Sequence, residues 1–205
     1  MTRAFSDDEK EIIRKRLIEK GKELFGVYGL KKTGVNDITR AVGIAQGSFY
    51  SFFPSKEELF FEILEEEERA REKMLDELMG SGRLTSEKLR IFLKNSFEVI
   101  EANPIVKKLF ESGDIEILMR KLPREKIEKH IQNDLSFLIP IINKWRTEGS
   151  IKDIRPEVVA GLVRCLFVIP LYKKELGGDV YPEVVDLMVD MVTDGLIKEG
   201  EQEHD

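Results

Sequence analysis

The chain has 205 residues, a net charge of −6 and a single cysteine, Cys165, so it has length enough for one large domain or two small ones with a substantial core. No leader-like stretch is apparent, and the longest apolar run, residues 158–172, is cut by Arg164, which excludes a membrane span. One cysteine cannot form an internal disulfide; it fits a reducing cytoplasm and, within an apolar run, reads as a small buried hydrophobe.

In chain order, Ser6 to Glu9 has the capping pattern S-x-x-E and opens a first helix. Leu17, Ile18, Gly21, Leu24, Phe25 and Tyr28 recur at helical spacing, and Gly29 ends the run. Gly21 costs about 1 kcal/mol against alanine in a helix interior, so another helix is expected to pack closely there. Val35, Ile38 and Val42 form the stripe of a short second helix, which Gly43 closes. Ile44 plugs the turn, and Gln46 to Phe52 forms a third helix with Phe49 and Phe53 for the core. A helix, a glycine turn and a second short helix of this size make a DNA-reading helix-turn-helix, at about residues 34–53.

Ser55 and Glu58 cap a long helix over about residues 56–78, whose acids Glu65 to Glu68 face solvent. Gly80-Ser81-Gly82 is a loop. Thr85 caps a helix to about Ala102, and Asn103-Pro104 starts a shorter one that breaks near Gly113. Another runs from Asp114 to Leu122. Pro123 opens a long helix to about Glu148, kinked at Pro140. Pro156 opens a helix to about Leu176 with Pro170 inside it, and Pro182 opens the last, to about Lys198. Residues 200–205 form a polar tail that is expected to be disordered. No strand pattern or repeat occurs, so the fold class is all-α, with about nine or ten helices. Residues 1–56 carry a net +4 and the remainder −10, a basic head on an acidic body, as phosphate attraction at one end requires.

Many residues of the head stand at fixed spacings. They are Leu17-Ile18, Gly21, Leu24-Phe25, Gly29, Thr33-Gly34-Val35, Asp37-Ile38 and Ala41-Val42-Gly43-Ile44. Gln46-Gly47-Ser48-Phe49-Tyr50 and Phe53-Pro54-Ser55-Lys56-Glu57-Glu58-Leu59 follow. On these residues, the stretch 17–61 resembles the N-terminal domain of the tetracycline-repressor (TetR/AcrR) family of transcriptional regulators. Three positions depart from the family pattern: Ala45 stands where Ser or Thr commonly caps the recognition helix, Gln46 replaces a frequent Lys, and Ser51 replaces a common His.

The resemblance implies a three-helix DNA-binding domain over residues 1–55 and a helical effector-binding and dimerisation domain over 56–199. It implies a ligand-responsive regulator, a repressor in most such families, that binds double-stranded DNA as a homodimer. Two recognition helices would enter successive major grooves of a pseudo-palindromic operator, about 34–36 Å apart or somewhat more. A small apolar or amphipathic effector would release it by shifting the helix after Lys56. No cofactor, metal, membrane partner or enzymatic role is expected, and the location is cytoplasmic. The alternative is a helical dimeric module, binding a ligand or a protein, that has lost sequence-specific DNA binding.

Within what the resemblance implies, the chemistry of the side chains points to the candidate sites. Gly47 lets backbone approach DNA closely. Gln46 and Ser48 can bond base edges, with Ser51 beside them. Tyr50 and Thr33 can donate to phosphates, and Lys56 can pair with one at the first turn of its helix. Arg3 lies in an arm that could reach a groove. For the effector, the candidates are Phe92, Asn95, Phe110, Phe137, Arg164 and Phe167. Arg164, inside an apolar helix, needs a carboxylate from the protein or from a ligand. The dimer contact is expected at Ala160, Gly161, Val168, Leu187 and Met191, on the last two helices.

Overall fold

The computed structural model describes residues 5–80, 83–111 and 113–198. Among them every regular element is a helix, apart from one antiparallel bridge between Ile151 and Ile197. The fold is all-α, as expected. The chain forms two compact units, residues Met1–Ala70 with Glu101–Pro123, and Arg71–Ile100 with Arg124–Asp205. The division does not follow the expected boundary at 55/56: the start of the long helix and the segment 101–123 both cluster with the head.

The first unit holds α1 (Asp7–Lys32), α2 (Val35–Val42), α3 (Gln46–Phe49), the first part of α4 (Lys56–Gly80), α6 (Pro104–Glu111) and α7 (Asp114–Lys121). α1 starts on a true capping box: Ser6 Oγ accepts the Glu9 N–H, and Glu9 accepts the Ser6 N–H at 2.8 Å. Its core stripe is Leu17, Gly21, Phe25 and Leu30. A methyl group on Gly21 would meet Leu59 and Ile63 side chains at 3.1 and 3.2 Å, so the glycine is where α4 packs closely, as its position in the stripe predicts. Phe25 meets the Phe60 ring edge-on at 4.9 Å. α4 is further tied to α1 by Arg14 to Glu62 at 2.6 Å and by the Lys22–Glu67 pair. Glu67 also accepts Asn103, whose side chain caps α6.

The second unit holds the rest of α4, α5 (Ser86–Ala102), α8 (Arg124–Thr147), α9 (Pro156–Val168), a 3-10 turn (Ile169–Tyr172), α10 (Lys173–Leu176) and α11 (Tyr181–Leu196). Leu89, Leu93, Phe97, Ile142, Trp145, Val159, Leu166, Val185 and Val189 lie in one apolar core. On its flank Arg90 pairs with Asp190 and Asp194, and Lys94 with Asp186, so i, i+4 steps on α5 and α11 match.

Several boundaries differ from expectation. α3 is regular only to Phe49, after which the chain tightens into i to i+3 bonds: Ser51 N–H to Ser48 O and Phe52 N–H to Phe49 O. The helix from Pro156 ends at Val168 rather than running through Pro170 to about Leu176. Proline has no N–H to give the Leu166 carbonyl, which accepts Ile169 instead. Cys165 is exposed on α9, not buried. The expected loop at 81–82, the arm with Arg3 and the tail 200–205 lie outside the described residues.

Candidate nucleic-acid interface

The interface starts at Gly43. It closes α2 in the left-handed region, φ 84°, and its N–H and that of Ile44 both bond the Thr39 carbonyl. The Thr39 hydroxyl returns to Val35 O at 3.0 Å, and Asp37 accepts the Gly34 N–H at 2.9 Å, so both ends of α2 are fastened. α3 opens on Ala45 with no side-chain cap. Lacking that cap, it is held from below. Phe49 is fully buried, Phe53 packs 5.9 Å from it, and the Arg14 guanidinium lies 5.0 Å over the Phe53 ring.

That anchoring turns the opposite face outward. Gln46, Gly47, Tyr50 and Ser51 are exposed, Tyr50 at 56%, and Ser48 is half-buried. A side chain on Gly47 would meet nothing within 4 Å. Nothing in the protomer therefore requires glycine there, whereas close approach of an external backbone would.

Two expected contacts are different. Thr33 is buried, and its hydroxyl donates to the Gly29 carbonyl at 2.8 Å rather than to a phosphate. The Lys56 ammonium donates to the carbonyls of Leu30 at 2.6 Å and Thr33 at 2.7 Å. Burial pushes it below the usual lysine value, Glu57 beside it opposes that, and Lys121 adds to it. Both residues are occupied because Gly29, at φ 80°, breaks α1 and leaves carbonyls that need donors. The cations that do face solvent near the helix-turn-helix are Lys31, Lys32 and Arg40, which form no ion pair among the described residues. Their only sequence signal was the positive balance of the head.

Residues 17–63 match the family model described as bacterial regulatory proteins, tetR family. An uncharacterised HTH-type transcriptional regulator of Bacillus subtilis, YhgD, is 27% identical over 80% of this chain and 85% of its own. A crystal structure of a TetR-family transcriptional regulator from Pectobacterium atrosepticum superposes with a TM-score of 0.73 at 15% identity, over 94% of this chain and 98% of that one. The FadR regulator of Bacillus subtilis, solved with stearoyl-CoA, superposes at 0.64 and 16% identity, over 88% and 98%.

The family likeness thus falls on the helix-turn-helix head, and the fold of the whole chain is like that of solved tetR-family regulators.

The remaining expected sites lie in the second unit, apart from Phe110, whose side chain is outside the described residues. Phe92 and Phe137 are half-buried against the apolar core, and Phe167 sits 6.2 Å from Phe97. Asn95 points to solvent on α5 and does not join them. Arg164 is 38% exposed, with Asp134 of α8 at 3.9 Å, so a protein carboxylate stands near it and its charge is not sealed from water. On α9, Ala160 is fully buried in the protomer's own core and cannot face a partner. The outward face of that helix is Val158, Leu162 and Val168, with Gly161 half-exposed among them and open space above it. On α11, Leu187 and Met191 are 60% and 65% exposed. No helix among the described residues is long and apolar enough to cross a membrane.

Proposed function

We propose that this regulator binds a pseudo-palindromic duplex as a homodimer in the cytoplasm and represses transcription until a small apolar or amphipathic effector releases it. One observation carries the reading: the polar face Gln46-Gly47-Tyr50-Ser51 is presented outward on an element pinned from beneath by Phe49 and Phe53. Gln46 and Ser48 would read base edges, Tyr50 would donate to phosphate, and Gly47 would allow the backbones to meet. Lys31, Lys32 and Arg40 would supply the phosphate-seeking charge in place of Lys56.

The homodimer is supported by exposed apolar residues one turn apart on α9 and α11, Val158 with Leu162 and Leu187 with Met191. Two recognition elements per dimer account for the expected two-fold operator. The effector is supported more weakly, by the half-buried aromatics Phe92, Phe137 and Phe167 and by the acyl-CoA held by FadR, a protein of like fold. Relatives such as YhgD are named as transcriptional regulators, and no enzymatic role is proposed.

The test is selection of duplexes from a random pool by the full-length protein, followed by affinity measurements over a salt series. Enrichment of a two-fold sequence is expected, with log affinity falling linearly in log salt. Arg40→Ala should make that slope shallower by about 1 per site contacted. Recovery of no preferred sequence would leave the dimeric module without DNA recognition as the better reading.

A further inference from the structure

The turn between α1 and α2 is gripped from two sides by opposite charges. Gly29 breaks the helix, and the N–H groups of Leu30 and Lys31 are taken by one carboxylate oxygen, Asp114 Oδ2, at 2.7 and 3.2 Å. Lys56 takes the carbonyls of the same turn. Asp114 is the first residue of α7 and fully buried; both bonds run to a segment some 84 positions earlier in the chain. Its other oxygen is buried and has no hydrogen-bond partner among the described residues. α7 is fastened to the start of α4 as well, by Lys121 on the buried Glu57 at 2.9 Å.

Packing alone does not call for this carboxylate. A buried charge with half its lone pairs unmet is costly, and an apolar side chain of similar size often serves stability as well. What the carboxylate adds is direction: two backbone N–H groups converge on one atom, which leaves the turn a single orientation. α2 begins four residues beyond Lys31, so the orientation of the turn is that of the helix-turn-helix.

We propose that Asp114 is a positioning residue for DNA recognition, holding the Leu30–Thr33 turn so that α2 and α3 leave α1 at the angle the duplex requires. The inference rests on the DNA-binding reading above. It assigns to α7, outside the helix-turn-helix, a part in setting affinity without touching DNA.

The test uses the full-length protein, the duplex enriched by the wild type, and the variants Asp114→Ala and Asp114→Asn. Amide hydrogen exchange at Leu30 and Lys31 reports the turn directly. Asp114→Ala should lose protection there while Leu17 to Phe25 keep theirs, and should bind the duplex about tenfold more weakly or worse. Its slope of log affinity against log salt should be shallower, because misplaced heads reach fewer phosphates; mere loss of folded fraction would leave the slope unchanged. Asp114→Asn keeps an oxygen acceptor and should recover most of the affinity. Wild-type affinity in Asp114→Ala, or a weaker affinity at the wild-type slope, overturns the proposal while DNA binding itself stands. If Asp114→Ala does not fold, Asp114→Glu decides, since the charge stays but the acceptor moves by one methylene. Wild-type binding by that folded variant also overturns the proposal. A wild type that enriches no duplex defeats the DNA-binding reading and this one with it.

Discussion

Two glycines five residues apart in α1 should respond oppositely to the same substitution. Both Gly21 and Gly26 have ordinary helical backbone, so replacing either by alanine gains about the same intrinsic propensity, ~1 kcal/mol. The surroundings differ. At Gly26 the new methyl would meet Pro104 at 3.5 and 3.6 Å and Ile105 at 3.8 Å, ordinary contact distances. At Gly21 it would meet Leu59 at 3.1 and 3.4 Å and Ile63 at 3.2 Å. Leu59 and Ile63 are both fully buried, so neither can swing aside without disturbing the α1–α4 packing. Overpacking of this kind costs about 1–3 kcal/mol. Propensity cancels in the comparison, so Gly26→Ala should exceed Gly21→Ala in stability by about 1–3 kcal/mol, with Gly26→Ala at or above the wild type. Denaturant titration of the three proteins, followed by circular dichroism, reads this as a shift in midpoint at constant slope. Equal midpoints for the two variants would refute the claim that Gly21 is there for close packing.

Other substitutions separate the roles within the head and the body. Phe49→Ala should cost about 3–5 kcal/mol, as a fully buried ring, whereas Tyr50→Ala should change the denaturation midpoint by no more than about 0.5 kcal/mol yet weaken duplex binding. Lys56→Met should lower stability by about 1–3 kcal/mol, read by thermal melting, because the Leu30 and Thr33 carbonyls lose a charged donor; the desolvation of that ammonium keeps the figure modest. The double variant Leu187→Glu, Met191→Glu should sediment as a monomer with wild-type helical content, since both side chains face solvent in the protomer; a dimer that persists would place the contact elsewhere.

What the sequence made legible in the head is what local chemistry decides. Ser6 with Glu9, Gly43 after the Val35–Val42 stripe, and the Phe49–Phe53 pair each fix their structure within a few residues. The misread residues depend on distant partners. Whether Lys56 meets a phosphate or a carbonyl is decided at Leu30 and Thr33, more than twenty positions earlier. Thr33 turns inward because Gly29 leaves a carbonyl to satisfy. Asp114 shows nothing locally beyond an acid at the start of a helix, the commonest of placements. In the body, an apolar stretch such as Val158 to Val163 announces burial on several faces but not by whom; Ala160 proves to serve the protomer and Val158 the surface. Pro170 reads as internal to one helix, yet the bonding of the Leu166 carbonyl to Ile169 marks an end there.

The charge of the head carries a related lesson. Its positive balance does not by itself make a DNA-facing field, because many of those cations are already engaged. Lys10, Arg14, Lys15, Lys20 and Lys22 each pair with a carboxylate along α1 or on α4, and Lys56 is held by backbone. Arg14 and Lys22 tie α1 to α4, the other three pairs lie within α1, and all five cations attract phosphate only weakly. Among the described residues Arg16, Lys31, Lys32 and Arg40 remain, the last three at the end of α1 and on α2, next in the chain to the exposed face of α3. An acidic protein can therefore bind an acidic polymer because its own carboxylates are spent on one set of cations and leave another set free at the place of contact.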